Sequence, residues 1–347
     1  MQTRQLGTTG VQVSPLCLGA MMFGPWGEPD HDESIRIIHA ALDAGINFID
    51  TADVYSRGES EEIVGKALAG GRRESVFLAT KVHGKMSDDD PNHFGNSRRW
   101  ITAEVDNSLR RLGTDWIDLY QIHRPELETD IDETLGVLTD LVTAGKIRYI
   151  GSSTYPPSAV VEAQWVAEKR NRQRFVTEQP PYSILVREIE RDLLPTCERY
   201  DIGVLPWSPL AMGWLTGRYR KGQDLPESRR SGLMPDRYDM DNPHNQAKLE
   251  AADALAVLAE EAGITLIEMA LAFLLEHPAV TAPIIGPRTM EQLESQLPAA
   301  EIRLEQDVLD KIDEIVPPGI TVNPGENGWT PPAISDPRLR RRSLQGL

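Results

Sequence analysis

The chain has few cysteines, no excess of basic charge and no long apolar run. Its two cysteines, Cys17 and Cys197, lie far apart in the sequence, so neither a disulfide framework nor a metal site is predicted. The 36 basic and 53 acidic residues give a formal net charge of −17 at pH 7, which repels nucleic acid. Without an apolar run of bilayer length, no membrane partner is expected either.

Two further signals are missing. The first residues contain no apolar stretch of the signal-peptide type, and we therefore expect a cytoplasmic protein. No Gly-x-Gly-x-x-Gly pattern follows a predicted strand, so a Rossmann-type nucleotide domain is not predicted. What the chain does have is size: its 347 residues, 40% of them hydrophobic, suffice for one large α/β barrel or two ordinary domains.

Short apolar runs alternate with longer amphipathic stretches along most of the chain. The predicted strands cover residues 13–18, 47–50, 76–81, 116–122, 147–151, 175–179, 203–207 and 281–286. The predicted helices cover residues 34–44, 60–69, 98–111, 131–143, 157–170, 187–199, 247–262 and 289–297. Eight such βα units predict a parallel sheet that closes into a (β/α)8 barrel, the TIM-barrel class of α/β folds.

The segments outside this repeat are predicted separately. Residues 3–13 contain Gly7-Thr-Thr-Gly10 between two β-prone pieces and are predicted to form a hairpin across the N-terminal end of the barrel. Long loops at 83–98 and 211–246 are expected on the C-terminal face, where function resides. We expect a barrel domain over 1–316 and a tail over 317–347 that is partly disordered, with residues 323–329 folding over the barrel mouth as the functional alternative.

Four ionisable residues fall at the ends of three consecutive predicted strands. Asp50 ends the second strand, Tyr55 follows it, Lys81 ends the third, and His123 lies just past the fourth. Active sites of such barrels form at these strand ends. Reduction of a carbonyl needs a hydride and a proton, and a tyrosine supplies the proton if a nearby lysine lowers its pKa. Each residue alone suits an ion pair or packing, but their convergence favours a catalytic group.

The segment Gly45-Ile-Asn-Phe-Ile-Asp-Thr-Ala-Asp-Val-Tyr55 resembles the first signature of the aldo-keto reductase family, and the resemblance extends over about residues 3–316. It implies that Asp50, Tyr55, Lys81 and His123 are catalytic. It further implies reduction of aldehydes or ketones with NADP(H), NAD(H) being less favoured, and a cofactor bound on the barrel itself.

The resemblance also implies residues that contact the cofactor. Ser152, Ser153 and Gln179 resemble the residues that bind the nicotinamide amide, and Trp207, Ser208, Pro209 and Leu210 resemble the segment whose ring stacks on nicotinamide. Arg218 resembles a basic residue near the pyrophosphate, while Gly286 and Arg288 resemble residues at the adenosine phosphate, where Arg288 would pair with a 2′-phosphate. The remaining expected contacts are Met21, Asp50, Gln292 and Gln296.

A substrate pocket is expected after the first barrel strand. Met22, Phe23 and Trp26 would line it and suit apolar or aromatic carbonyl compounds, although ordinary loop packing would explain them equally well. No metal is expected to take part.

Two other functions stay open. The stretch from Trp207 to Gly213 resembles potassium-channel β-subunits and the bacterial reductases near them, which implies a cofactor-sensing binding subunit and is compatible with a homo-oligomer. The channel subunits typically carry Asn where this chain has His123, which favours an enzyme. A hydrolase or aldolase that forms a Schiff base on Lys81 is the third hypothesis.

Overall fold

Eight parallel strands form the main sheet of the computed structural model, which describes residues 1–226, 231–232 and 234–341. A separate antiparallel hairpin comes first, with β1 at Arg4–Gln5 and β2 at Gln12–Val13. The sheet then contains β3 Cys17–Gly19, β4 Phe48–Asp50, β5 Phe77–Val82, β6 Ile117–Ile122, β7 Ile147–Ser153, β8 Phe175–Gln179, β9 Gly203–Val204 and β10 Ile284–Ile285. Both the hairpin and the eight-stranded barrel agree with the sequence prediction.

The strands lie in chain order around the sheet, except that β10 returns to pair with β3. The register places Ile284 beside Cys17 and Leu18 beside Ile49. At the remaining gap, the amide of Val204 in β9 donates to the carbonyl of Ala279 at 3.1 Å, and the amide of Thr281 donates to the carbonyl of Val204 at 2.9 Å. These backbone hydrogen bonds connect β9 with the segment before β10, as a barrel requires.

Helices alternate with the strands and continue into the tail. They are α1 His31–Asp43, α2 Glu59–Leu68, α3 Arg98–Leu112, α4 Ile131–Thr143, α5 Pro157–Arg170, α6 Leu193–Arg199, α7 Pro243–Glu261, α8 Leu266–Glu276, α9 Met290–Gln296, α10 Gln306–Ile315, α11 Pro332–Ser335 and α12 Pro337–Arg340. The sequence prediction lacked α8, α10 and the two short helices α11 and α12, and it began the sixth helix six residues too early. Within the described part of the chain, no helix has both the length and the apolarity of a membrane span.

Local sequence signals set the helix ends. Asp30 caps α1 by accepting from the amides of Asp32 and Glu33, and Thr265 forms a reciprocal capping box with Glu268 at the start of α8. After α1, Gly45 adopts a φ of +97°, which a residue with a Cβ rarely tolerates. The turn directs the chain back toward β4 and thereby to Asp50.

The core has two parts. A large cluster fills the space between the sheet and the helices, and a smaller one joins the hairpin residues Leu6 and Val13 to Cys17, Phe48 and other residues of the strands. Leu6 and Val13 have no exposed surface. The hairpin therefore closes one end of the barrel, which leaves the C-terminal ends of the strands for a site.

The tail after residue 317 packs back on the barrel. Thr321 bridges to Val186 in antiparallel fashion, and the amide of Val322 donates to the carbonyl of Leu185 at 3.0 Å. The buried Lys248 of α7 binds Glu326 at 2.5 Å. A Cβ on Gly328 would lie 3.1 Å from the ring of Trp207, so this segment borders the barrel mouth. Disorder was predicted for about the last ten residues. Of these, residues up to Arg341 are described and include most of α12, whereas residues 342–347 lie outside the described residues.

Candidate active site

Lys81, at the end of β5, is the centre of the polar group inside the barrel. Its ammonium donates to an oxygen of Asp50, to the carbonyl of Thr51 at 2.8 Å and to the hydroxyl of Tyr55 at 3.2 Å. The side chain has no exposed surface, and three acceptors match the three N–H bonds of an ammonium group. The ion pair with Asp50 therefore fixes where the amine meets the phenol.

A strained turn positions Tyr55. After β4, Ser56 and Arg57 adopt φ values of +49° and +56°, and Gly58 follows at +97°. Two consecutive residues with a Cβ in the left-handed region are unusual, and such strain is often found at functional sites. The turn reverses the chain directly after Tyr55, and the phenol remains over the end of β5.

The second oxygen of Asp50 is held by two amides. It accepts from Nε2 of Gln121 at 2.9 Å and from Nε2 of Gln179 at 3.0 Å. The sequence analysis assigned Gln179 to the cofactor and did not assign Gln121. The period of two in a strand was a usable signal, because it places Gln121 on the same face of β6 as His123. Asp50 is thus fixed by groups from three other strands.

The imidazole of His123 lies edge-on to the phenol of Tyr55, with ring centres 5.6 Å apart and planes at 81°. Burial lowers the pKa of His123 well below its usual value, and the positive charges of Lys81 and Arg124 act in the same direction. The ring is therefore neutral at pH 7. A neutral imidazole can donate a hydrogen bond to a carbonyl oxygen beside the phenol.

The pKa of Tyr55 departs from the expectation. Lys81 does lower it, as predicted, but burial raises it by more, and the net direction is upward. The expected lowering is therefore wrong for this state of the site. The phenol is therefore protonated at neutral pH, and its raised pKa makes it a weaker acid than an exposed tyrosine.

Lys81 stays charged. Burial lowers the pKa of its amine, but the Asp50 carboxylate and the Tyr55 oxygen raise it further, so the net direction is upward. Schiff-base formation requires a neutral amine. The geometry thus argues against the hydrolase or aldolase hypothesis.

The two serines of β7 point to opposite sides. The hydroxyl of Ser152 donates to Glu178 at 2.5 Å, on the side of the sheet that faces the helices. The hydroxyl of Ser153 donates to the carbonyl of Gln179 at 2.9 Å, on the side of Gln121 and Asp50. Alternation along the strand explains the difference. We therefore correct the expectation that both contact one ligand: Ser153 lies at the candidate site and Ser152 does not.

The segment after β9 passes beside the same space. Trp207 is partly buried, and its Nε1 has no hydrogen-bond partner among the described residues. Ser208 has a φ of +56°, and Ala211 and Met212 of the following turn have φ values of +47° and +60°. Pro209 is buried and Leu210 is partly buried. An irregular backbone conformation thus follows Trp207 and positions its indole.

The predicted phosphate residues differ in exposure. Gly286 is exposed, and a Cβ there would have open space around it. The guanidinium of Arg288 is partly buried and has no ion-pair partner in the described ranges, while its backbone amide donates to Gln292 at 2.8 Å. Arg218 is exposed, and Gln296 is buried. The β10–α9 connection therefore offers an unpaired cation and room beside the backbone.

The comparisons with known proteins agree with this geometry. The sequence model of the Aldo/keto reductase family matches residues 15–317. The chain belongs to the aldo/keto reductase family.

Family members with high similarity carry different names. The uncharacterized oxidoreductase YrpG of Bacillus subtilis (strain 168) is 41% identical over 96% of this chain and 100% of its own. A protein of Arabidopsis thaliana named "Probable voltage-gated potassium channel subunit beta" is 33% identical over 91% of this chain and 97% of its own. The versiconal hemiacetal acetate reductase of Aspergillus parasiticus is 32% identical over 94% of this chain and 100% of its own.

The expected substrate residues are placed unevenly. Trp26 is 40% exposed, with its ring centre 6.1 Å from that of Tyr55, and Met21 is partly exposed. Met22 is 8% exposed. Phe23 has no exposed surface and belongs to the large core cluster, so its predicted place in the pocket is wrong. The loop after β3 turns the ring inward, which an apolar residue in a loop does not reveal in the sequence.

Two polar residues at the site were missed. Arg124 follows His123 and donates to the hydroxyl of Thr154 at 3.0 Å, and Thr154 follows Ser153. Phe94, from the loop after β5, is 42% exposed and packs on His83 with ring centres 4.6 Å apart. Loop conformation brings these residues to the rim, and strand periodicity carries no signal for them.

Proposed function

We propose that this family member is an NADP(H)-dependent reductase of aldehydes and ketones in which Tyr55 donates the proton. One observation carries the proposal. The Tyr55 hydroxyl lies on the Lys81–Asp50 ion pair, beside a neutral His123, at the end of the barrel that the hairpin leaves open. The substrate is a small carbonyl compound.

The residues present fit a nicotinamide dinucleotide. The unpartnered Nε1 of Trp207, the open space at Gly286 and the unpaired guanidinium of Arg288 are features that a bound nucleotide would use. Trp207, Gln179 and Ser153 would hold the nicotinamide, with Met21 and Leu210 beside it. When bound, the reduced cofactor supplies the hydride. Arg288 would bind a 2′-phosphate, which favours NADP(H) over NAD(H).

The protein's own residues handle the proton. Tyr55 is a protonated phenol before reaction, since the ordinary pKa of tyrosine, about 10, lies well above neutral pH and burial raises it further. Its O–H bond breaks as the carbonyl oxygen takes the proton, and the phenolate that remains is stabilised by the ammonium of Lys81. Asp50 keeps that ammonium in place, and His123 donates a hydrogen bond that orients the carbonyl.

Replacement of Tyr55 tests the proposal. Tyr55→Phe keeps the ring and removes the proton, so we expect reduction of a panel of aromatic aldehydes with NADPH to fall about 10²- to 10⁴-fold. Binding of NADPH, followed by quenching of tryptophan fluorescence, should change by less than about twofold. Loss of NADPH binding in this variant would indicate a structural role for Tyr55, and unchanged reduction would refute the proton-donor assignment.

A nicotinamide-binding regulatory subunit is the second candidate, because the relative from Arabidopsis thaliana carries the name of a channel subunit. His123, which supplies a neutral donor beside Tyr55, favours turnover instead. An assay of channel binding and an assay of carbonyl turnover together distinguish the two functions. A stable complex with a membrane channel, together with no turnover of any carbonyl compound in the panel, would favour the regulatory subunit.

A further inference from the structure

Arg124 lies at the open end of the barrel and has no part in the reaction described above. Its Nη1 donates to the carbonyl of His123 at 2.7 Å and to the hydroxyl of Thr154 at 3.0 Å. The centre of the guanidinium lies 5.9 Å from the centre of the Trp207 ring. These contacts fix one edge of the guanidinium on the rim between β6 and β7, next to the catalytic group.

The charge of Arg124 is unpaired. Within the described part of the chain, no carboxylate forms an ion pair with it, and its Nε and Nη2 have no hydrogen-bond partner. Glu178, whose charge acts on Arg124, directs its oxygens to the hydroxyl of Ser152 and the amide of Tyr155 instead. Three N–H bonds of a partly buried guanidinium are therefore available to a ligand.

Several other partly buried arginines of this chain form ion pairs, although Arg4 and Arg288 form none with the described residues. Arg73 binds Asp118 at 2.7 Å, Arg111 binds Glu61 at 2.6 Å, and Arg187 binds Asp313 at 2.7 Å. The chain has 53 acidic residues, so carboxylates are plentiful. Burial of an unpaired cation is costly, and an anionic ligand would offset that cost.

The guanidinium lies close to the reacting groups, since it binds the backbone carbonyl of His123, whose ring centre is 5.6 Å from that of Tyr55. The positive charge of Arg124 lowers the pKa values of both Tyr55 and His123. The other cation there, Lys81, is already neutralised by Asp50. Among the described residues near Tyr55 and His123, Arg124 thus supplies a positive charge that no carboxylate compensates.

We propose that Arg124 binds a carboxylate carried by the carbonyl substrate, so that the preferred substrates are aldehydes or ketones with an acidic group. The inference rests on the proposed reductase function and specifies its substrate class. The exposed rings of Trp26 and Phe94 at the same rim suit an aromatic or apolar body between the carbonyl and the carboxylate. A guanidinium is well matched to a carboxylate, because two parallel N–H bonds meet its two oxygens.

A matched pair of substrates tests this. We would measure kcat/KM for 4-carboxybenzaldehyde and for its methyl ester in the wild type, in Arg124→Gln and in Lys85→Gln. Lys85 is an exposed cation in the loop after β5, paired with Asp88, and it controls for overall charge. We expect the wild type to prefer the acid by about tenfold or more, and Arg124→Gln to lose about ten- to a hundredfold on the acid and under about threefold on the ester. Lys85→Gln should keep the wild-type ratio.

Other outcomes overturn the inference. Equal losses on both substrates in Arg124→Gln would mean that the residue only supports the site. Weaker NADPH binding in that variant would assign the guanidinium to a cofactor phosphate. If the variant does not fold, measurements on the wild type still test the inference. Equal kcat/KM for the acid and the ester would contradict a carboxylate site, and so would equal inhibition by benzoate and benzamide. Absence of turnover on both substrates would instead count against the reductase function itself.

Discussion

The ammonium of Lys81 contacts Tyr55 at two places: its nitrogen lies 3.2 Å from the hydroxyl oxygen and 4.8 Å from the centre of the ring. One cation thus binds both the oxygen and the face of the same phenol. Because Asp50 fixes that cation from the other side, the position of the phenol depends on an ion pair that is buried in the barrel.

The first prediction concerns that ion pair. Lys81→Met leaves the carboxylate of Asp50 buried without its cation, which should lower the free energy of unfolding by about 3–5 kcal/mol. Urea denaturation measures this loss. The double variant Lys81→Met/Asp50→Asn removes the unpaired charge and should recover much of the stability while remaining inactive. A single variant as stable as the wild type would show that the pair is not held as described.

The second prediction concerns pH and His123. Its pKa is lowered in the folded protein, so the unfolded chain binds a proton near pH 6.5 that the folded chain does not. The contribution of the neutral ring to stability is therefore complete above about pH 6.5 and is lost as the pH falls below that value. His123→Asn should make stability less dependent on pH between about pH 5 and 7. Denaturation of both proteins across this range measures the difference, and parallel curves would contradict the neutral assignment.

The third prediction separates the two cofactors. Arg288→Ala removes the unpaired guanidinium at the start of α9, and we expect NADPH binding to weaken about ten- to a hundredfold, as for loss of hydrogen bonds to a charged group. NADH lacks the 2′-phosphate, so its dissociation constant should change by less than about threefold. Arg218→Ala is the matched control, since a pyrophosphate contact should affect both cofactors alike. Equal losses for NADPH and NADH in Arg288→Ala would remove the 2′-phosphate assignment.

The fourth prediction concerns the tail. Lys248 has no exposed surface, and its ammonium binds Glu326 at 2.5 Å and the carbonyl of Arg237 at 3.1 Å. Glu326→Ala should leave that ammonium without its carboxylate and cost about 3 kcal/mol or more of stability. Hydrogen exchange should then increase first in residues 320–328. Lys248→Met/Glu326→Leu should restore protection, and unchanged exchange in the single variant would refute the contact.

The regular part of the fold was predictable because buried parallel strands and amphipathic helices have different periods. The helix α8 was missed for the opposite reason: from Met269 to Leu275 every side chain is buried, so the segment has no polar face to reveal a period. The helix α10, in contrast, is amphipathic and was missed because it lies outside the repeating βα unit. Tertiary packing decides where such helices lie.

The candidate site likewise contains residues that the sequence pattern locates and residues that it does not. Asp50 is the last residue of β4 and Lys81 is the penultimate residue of β5, and strand position alone locates them at the rim. The directions of the Ser152 and Phe23 side chains were not predicted correctly. A shift of one residue in register reverses the direction of a side chain, and the sequence pattern does not fix the register at a strand end or in a loop. Arg124 and Thr154 contact each other only after two loops have taken their conformations. No sequence pattern in either segment predicts this contact.

The order of the strands along the chain also determines which parts of the site can form first during synthesis. The strands that carry Asp50 and Lys81 are neighbours in the chain, so their ion pair can form while later strands are still on the ribosome. The barrel cannot close before Ile284 and Ile285 pair with β3. The close approach of Gly328 to Trp207 forms later still, because Gly328 lies further along the chain. The two strands that carry the ion pair are therefore complete long before the residues that close the barrel have been synthesised.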